Sequence, residues 1–484
     1  MPPPSVATIA SQSMMCTTER RYNLLPFGFT RLCGKEVLVN ELGDMLVVPE
    51  GSVARIVGRN VDDENMYKSL VANFFISETP VPALAGLYAA RLHARKSFLG
   101  AGPALHIFVL TLRCNQNCRY CHASSRGSLS KGCSMSETAL KQAVKLMMHS
   151  PSEDITMEFQ GGEPSLEPRL IRIAVETAEQ LNRNARKRLR YVLCTNCVAL
   201  DPELLDLCRL YGIVISTSLD GPAWLHNANR GCVDSHEKVV AGIALAREAV
   251  GHERVSALMT ASHRSLDYPR EIVDEYLRNG FNSIFLRALN PYGLAAGNTN
   301  QEDYTRRFVN FYKQALDYIL ELNREGTFFV EEFASIVLKK MLTAGSSGFV
   351  DLQSPAGLIN SVLVYNYDGG VYCSDESRML AEQGCDYFKL GTTDQSYESL
   401  VYGDRAKEIA RHWAAEAIAG CSDCALRPYC GADPVRAYSA QGDIYGCRPT
   451  SLQCARHKDI IEHLISMIIE RADEVLPVFS SWIS

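Results

Sequence analysis

A chain of 484 residues with 46% hydrophobic content reads as a globular protein of two or three domains. Its net charge of −6 comes with no basic stripe, which gives no ground for nucleic-acid binding. No apolar run reaches the length of about 18 residues that suggests a membrane span. The 17 cysteines cluster in metal-type spacings, not as a secreted disulfide framework, and point to a reducing cytoplasm with oxygen-sensitive centres.

Residues 1–20 are rich in Pro, Ser, Ala and Thr and lack the apolar segment of a signal peptide, so they predict a disordered tail. Residues 21–100 predict a small α+β domain. Short strands over 27–32, 36–40 and 45–48 are separated by turn residues Gly34-Lys35 and Gly43-Asp44, and helical patterns follow over 62–75 and 83–96. That order resembles the peptide-binding winged-helix module of many peptide-modifying systems; a plain extension packed on the next domain is the alternative.

Residues 104–340 alternate strand-like runs with amphipathic helices. Strands are expected over 105–112, 155–159, 190–194, 213–218, 255–261 and 283–288, and helices over 136–149, 168–185, 202–210, 236–249 and 268–278. This alternation implies an α/β fold with a parallel sheet, helices outside it, and chemistry at the C-terminal strand ends. Residues 354–484 change character. They are rich in Gly, Asp and Cys, with a turn at 366–370 between two strands and a closing helix over 458–475.

The chemistry-bearing motifs sit at the expected strand ends. The first strand runs into Cys114, Cys118 and Cys121, spaced C-x3-C-x2-C, with Tyr120 before the third. Three thiolates can hold three corners of a cubane iron–sulfur cluster and leave one iron open. A zinc knuckle is the alternative, but zinc wants four ligands in close pairs and His122 is poorly placed as the fourth. After the second strand comes Gly161-Gly162-Glu163-Pro164, whose glycines allow close backbone approach and whose carboxylate can accept from an ammonium. The third strand ends in Cys194-Thr195-Asn196-Cys197, and its C-x2-C pair reads as incidental. The fourth ends in Ser218-Leu219-Asp220-Gly221-Pro222, followed by His226 and Arg230.

Together these motifs resemble the radical SAM superfamily. The resemblance implies a partial (β/α)6 barrel and a [4Fe-4S] cluster on Cys114, Cys118 and Cys121 whose open iron chelates S-adenosylmethionine (SAM), a cosubstrate cleaved to a 5′-deoxyadenosyl radical. It implies that Gly161, Gly162 and Glu163 bind the SAM amino group, that Thr195 and Asn196 shape the pocket, and that Ser218 and Asp220 face the ribose and methionyl part. Arg230 would pair with the SAM carboxylate or form a surface ion pair, and Leu286-Arg287 would contact adenosine. The family often has Thr-Asn-Gly where this chain has Cys197.

Cys421, Cys424 and Cys430, spaced C-x2-C-x5-C, are followed by Cys447 and Cys454. Four thiolates close a cubane completely. The pattern resembles the SPASM domain of peptide maturases, but Gly431 to Pro434 stand where that domain carries more cysteine, and only Cys373 and Cys385 lie upstream. The expectation is one auxiliary [4Fe-4S] cluster on Cys421, Cys424, Cys430 and Cys454, with Cys447 as alternative fourth ligand and a zinc ribbon as the rival. Cys16, Cys33, Cys133, Cys208 and Cys232 read as ordinary thiols.

Longer segments narrow the resemblance: residues 23–31, 39–44, 374–380, 429–434 and 441–443 look like the His-Xaa-Ser system radical SAM maturase of the B type. This implies oxidative modification, most simply a cross-link, of a ribosomally made peptide with His-Xaa-Ser repeats. A reductant such as flavodoxin or ferredoxin and a second radical SAM enzyme would be partners. The rivals are a sulfatase-type maturase that forms formylglycine and a non-enzymatic scaffold presenting a peptide.

Overall fold

The computed structural model describes residues 21–296, 300–411 and 413–483. The tail expected over 1–20, with Cys16, lies outside them. Near the N-terminus, β1 (Phe27–Leu32), β2 (Lys35–Asn40) and β3 (Met45–Pro49) form an antiparallel sheet. One face packs on helix Glu64–Ala72, capped by Asp63, around Leu38, Leu46, Leu70 and Phe75. The helix Val81–Arg95 has no fully buried residue, though Arg95 at its end is half-buried.

The main sheet is built from β4 (Leu105–Thr111), β5 (Asp154–Gly161), β6 (Arg188–Cys194), β7 (Val214–Ser218), β8 (Val255–Ala261) and β9 (Leu286–Ala288). All six run parallel, in the spatial order β9-β8-β7-β6-β5-β4. The α/β alternation follows the sequence pattern closely. Helix Pro168–Ala185 begins with proline at its first turn, and helix Pro202–Tyr211 has Asp201 as N-cap and left-handed Gly212 as its stop.

Alternate residues of each strand explain the layering. On β5, Ile155, Met157 and Phe159 are buried under the helices, each worth about 1.5–3 kcal/mol of burial. Thr156, Glu158 and Gln160 face the other way, into the sheet's concave interior.

Three features depart from the expected pattern. Helix Ala223–Arg230 follows the fourth strand and was not predicted, although the spacing of His226 and Arg230 is that of one helical turn. The sixth strand is split. Ser283–Ile284 pairs with Val330–Glu331, and only Leu286–Ala288 joins the main sheet. The hairpin β10 (Val362–Tyr365) and β11 (Gly370–Tyr372), with β12 (Lys389–Thr392), extends the same sheet beyond β4. β10 runs parallel to β4, pairing Val362 with Leu105 and Tyr365 with Phe108. Among the described residues, no helix is long and apolar enough to cross a membrane.

Candidate active site at the C-terminal strand ends

β4 passes through Thr111 into the two-residue strand Arg113–Cys114, which lies parallel to Arg126–Gly127. This seats Cys114 in the interior and leaves Cys118 and Cys121 half-buried on the loop that follows. The three thiols stand within electrostatic reach of one another. Burial pushes Cys114 up to about 12, and Glu163, Cys118 and Cys121 add to the rise. Burial also raises Cys118, against the nearby Arg230 cation. Cys121 Sγ lies 3.1 Å from Ser125 Oγ. His122, whose buried Nδ1 lacks a hydrogen-bond partner among the described residues, adds an open polar position beside the loop.

The glycines of the next loop serve backbone packing. A Cβ on Gly161 would stand 2.1 Å from Thr111 O, and one on Gly162 would stand 2.4 Å from Arg113 O. Gly162 N donates to Thr111 O and Glu163 N to Arg113 O, at 2.7 and 2.8 Å. The loop is thus pressed directly beneath the cysteine loop. The Glu163 carboxylate was expected to be open to an ammonium, but it already has partners. Oε1 accepts from Thr195 Oγ1 at 2.6 Å and Ser165 N at 3.0 Å, and Oε2 from Asn196 N at 2.8 Å. Asn196 in turn donates to Asn115 Oδ1 at 2.7 Å. One buried carboxylate therefore ties the second and third strand ends to the cysteine loop.

Arg230 is neither on the surface nor free. Its Nε and Nη2 reach the two oxygens of Asp220 at 2.9 and 3.0 Å, and Nη1 points to Cys118 Sγ at 3.8 Å. Tyr120 donates its hydroxyl to Asp220 Oδ2 at 2.5 Å. Burial alone would raise the Asp220 carboxyl; the Arg230 guanidinium outweighs it and holds the group below its usual value. A second chain of contacts runs from Asp220 N, which donates to His226 Nδ1 at 3.2 Å, through His226 Nε2 and Ser235 Oγ at 3.0 Å, to Gln116 Nε2, which donates to Ser235 Oγ at 2.6 Å. Ser218 stands half-buried at the end of β7.

Cys197 has φ 55 and is 1% exposed. It adopts the left-handed backbone that suits the glycine usual in the resembled family. Cys194 faces the interior beside Glu158, apart from Cys197, whose electrostatic neighbours are Glu163 and Cys208.

The interior also carries ionisable groups that sequence reasoning missed. Burial raises Glu158, and it raises Glu376 to about 8 and Asp433 to about 6, the last two also under the influence of Asp351. Arg287 and Arg436 lie among these carboxylates. The polar alternation of Thr156, Glu158 and Gln160 on an otherwise buried strand was the available signal for Glu158. Nothing local marks Glu376 or Asp433.

In the C-terminal region, Cys421, Cys424, Cys430 and Cys454 come within electrostatic reach of one another. Cys447 stands apart, exposed, with Thr450 and Arg448 as its neighbours. Cys373 is buried near Ser377, Asp433 and Glu376, not near the four thiols, and Cys385 is half-buried. Every described cysteine is free. Among the described residues, no three His, Cys, Asp or Glu side chains converge as a single metal ion would require. Both cysteine groups are soft, deprotonatable donor sets, the chemistry that iron–sulfur ligation uses.

Residues 108–276 match the family model described as the radical SAM superfamily. A cysteine-type anaerobic sulfatase-maturating enzyme of Clostridium perfringens is 23% identical over 332 residues, covering 64% of this chain and 86% of the relative. The AdoMet-dependent heme synthase of Methanosarcina barkeri is 31% identical over 169 residues, covering 34% of this chain and 44% of that protein. Among solved structures, native anSMEcpe with bound AdoMet superposes with TM-score 0.61 at 19% identity, covering 77% of this chain and all of the other. Streptococcus suis SuiB bound to its precursor peptide SuiA superposes with TM-score 0.51 at 13% identity, covering 88% and 98%. The fold is thus a mixed α/β architecture like that of SPASM-type radical SAM enzymes.

Proposed function

We propose that the chain, whose residues 108–276 match the radical SAM family model, is a SAM-cleaving maturase that oxidatively modifies a ribosomally made peptide. The observation that carries the reading is the convergence of three strand-end loops on one three-cysteine loop, with a separate four-thiol group further along the chain. A [4Fe-4S] cluster on Cys114, Cys118 and Cys121 supplies, when bound, the electron that cleaves SAM to a 5′-deoxyadenosyl radical. Cys421, Cys424, Cys430 and Cys454 would hold the electron acceptor that a two-electron oxidation needs.

The residues around these centres then have definite tasks. Glu163, Thr195 and Asn196 fix the relative positions of three loops, so SAM would meet the backbone of Gly161 and Gly162 and not the Glu163 carboxylate. Arg230, held by Asp220, presents Nη1 toward Cys118, one of the three residues that would hold the cluster. Ser218 and Thr260 line the interior at neighbouring strand ends. Glu376 and Asp433, both raised by burial, can hold or take a proton as the substrate is oxidised. Buried surroundings exclude water from the radical.

We take the substrate to be a peptide or small protein, by analogy with anSMEcpe bound to the Cp18Cys peptide and SuiB bound to its precursor peptide SuiA. We assign a cross-link as the product and the His-Xaa-Ser system B-type maturase as the subfamily, on the segment resemblances given above. A flavodoxin or ferredoxin in a reducing cytoplasm would supply electrons, and a second radical SAM enzyme would share the peptide. Formylglycine formation is the second reading, favoured by the sulfatase-maturating relative that this chain covers over 86% of its length.

The deciding experiment couples iron and sulfide analysis of the anaerobically reconstituted chain to 5′-deoxyadenosine release with a candidate peptide. About eight irons, falling to about four in the Cys114/Cys118/Cys121→Ala variant with loss of 5′-deoxyadenosine, supports the proposal. Zinc in place of iron refutes it. Loss of two hydrogens spread over two residues indicates a cross-link, and a hydrazide-reactive aldehyde indicates formylglycine.

A further inference from the structure

A cavity of about 60 Å3 lies where the helix Val81–Arg95, the helix Glu332–Leu342 and the segment around Cys430 meet. Its lining carries four cations, Arg95, Lys96, Lys340 and Arg427, and two carboxylates, Glu41 and Glu416. Both carboxylates are already used. Lys96 Nζ pairs with Glu416 at 2.6 Å, and Arg427 pairs with Glu41. Asp44, the carboxylate that acts on Arg95 electrostatically, is paired with Arg91 at 2.7 Å.

Arg95 and Lys340 therefore line one cavity without a carboxylate paired to either among the described residues, and the Cys430 thiol beside Lys340 is the group that could carry a competing negative charge. Arg95 Nη2 donates to the carbonyls of Lys340 at 2.9 Å, Thr343 at 3.2 Å and Gly43 at 3.3 Å. Lys340 Nζ donates to the carbonyl of Leu352 and, at 3.4 Å, to that of Cys430. Carbonyl oxygens satisfy donors but do not cancel charge, and a desolvated charge without a counter-ion is costly. Burial accordingly lowers the Arg95 guanidinium from its ordinary value.

We propose that this cavity is an oxyanion site, built to take a single carboxylate or phosphate group between Arg95 and Lys340. The size agrees. On the same measure one water needs about 10–15 Å3, so the space admits a group of roughly four or five heavy atoms. The guanidinium fork and the ammonium offer the planar and point-like donors that such groups accept. The site is distinct from the three-cysteine loop and lies against one of the C-terminal thiols, where the thiolates are the competing source of negative charge.

The test is calorimetric titration of the full chain, both iron-free and anaerobically iron-reconstituted, with inorganic phosphate and separately with acetate, at fixed ionic strength. One-site binding of at least one anion is expected in both preparations. Phosphate alone marks the ligand as a phosphate, and acetate alone or both marks it as a carboxylate-type group. Lys340→Met should weaken binding about tenfold or more, and Arg95→Lys, which keeps the charge and loses the fork, should weaken it less. A rise of the wild-type thermal midpoint with the anion, against chloride of equal ionic strength, gives a readout independent of either variant folding. Absence of binding heat and of a midpoint rise overturns the proposal. So does unchanged affinity in a folded Lys340→Met, or binding that vanishes once iron is loaded, which would assign the two cations to the thiolates. None of these readouts depends on SAM cleavage, so failure here is separable from failure of the maturase reading.

Discussion

Replacing Arg230 by Met removes the only cation that, among the described residues, is hydrogen-bonded to the Asp220 carboxylate, which is 0% exposed. Two charges about 4 Å apart attract by ~4 kcal/mol at an effective dielectric near 20. Breaking a buried pair from one side costs about 3–5 kcal/mol by general experience, so the two routes agree. Asp220 retains Tyr120 Oη and Thr260 N as donors, which places the expected loss toward the lower figure. The pH dependence should also invert. In the wild type the Asp220 carboxyl is held low, so its contribution is present above the unfolded value and lost as pH falls. Without Arg230, burial raises the folded value above the unfolded one. The variant then binds a proton on folding and loses stability as pH rises from about 4 through the raised value. Urea midpoints at pH 5 and pH 8, read by tryptophan fluorescence under anaerobic reductant, would show the variant more destabilised at pH 8. The double variant Asp220→Leu/Arg230→Met should recover much of the loss. A single variant within about 1 kcal/mol of wild type at both pH values would refute the reasoning.

Other outcomes follow from single contacts. Gly162→Ala places a Cβ against the carbonyls of Leu112 and Arg113 and should strip about four irons per chain from the reconstituted protein, measured by iron analysis. Cys454→Ala should remove about four irons and Cys447→Ala none, because only the former meets the other C-terminal thiols. Cys197→Gly should leave the urea midpoint unchanged or raise it by relieving roughly 1–2 kcal/mol of left-handed strain, whereas Cys197→Val should lower it by more than about 1 kcal/mol. His106 is buried between Tyr365 Oη and Pro103 O and its imidazole is pushed down to about 3. Stability should therefore fall as pH drops below about 6.5, by about 2 kcal/mol at pH 5 from this residue, and His106→Gln should flatten that slope.

Much of this architecture was legible because its signals are local. Period-two strands, period-3.6 helices and the turn residues between them lie within windows of a few turns, so the six-step alternation could be read directly. The cysteine loop, Gly161–Glu163 and Ser218–Pro222 were visible as motifs for the same reason. What those motifs do to one another was not visible. Glu163 meets Thr195 and Asn196, Arg230 meets Asp220 and Cys118, and Gln116 meets Ser235, all through contacts that depend on how strand ends fan out in space. Glu163 and Arg230 each have buried internal partners that no local pattern announces, and the surface ion pair weighed for Arg230 is replaced by a buried one. The interior carboxylates Glu376 and Asp433 were missed because they come from segments without periodic pattern.

The pairing of Val362 with Leu105 has a consequence for how the chain is made. β4 leaves the ribosome early, yet one of its edges is covered only when β10 emerges. At roughly 5–20 residues per second that interval is on the order of ten to fifty seconds. During it an apolar parallel strand, with buried Ile107 and Val109 on one face, presents an open hydrogen-bonding edge to any passing chain. The nascent protein thus spends most of its synthesis with its three-cysteine loop attached to an uncapped strand. A chaperone that shields that edge, or slower growth at lower temperature, should raise the yield of soluble chain more than any change at the cysteines.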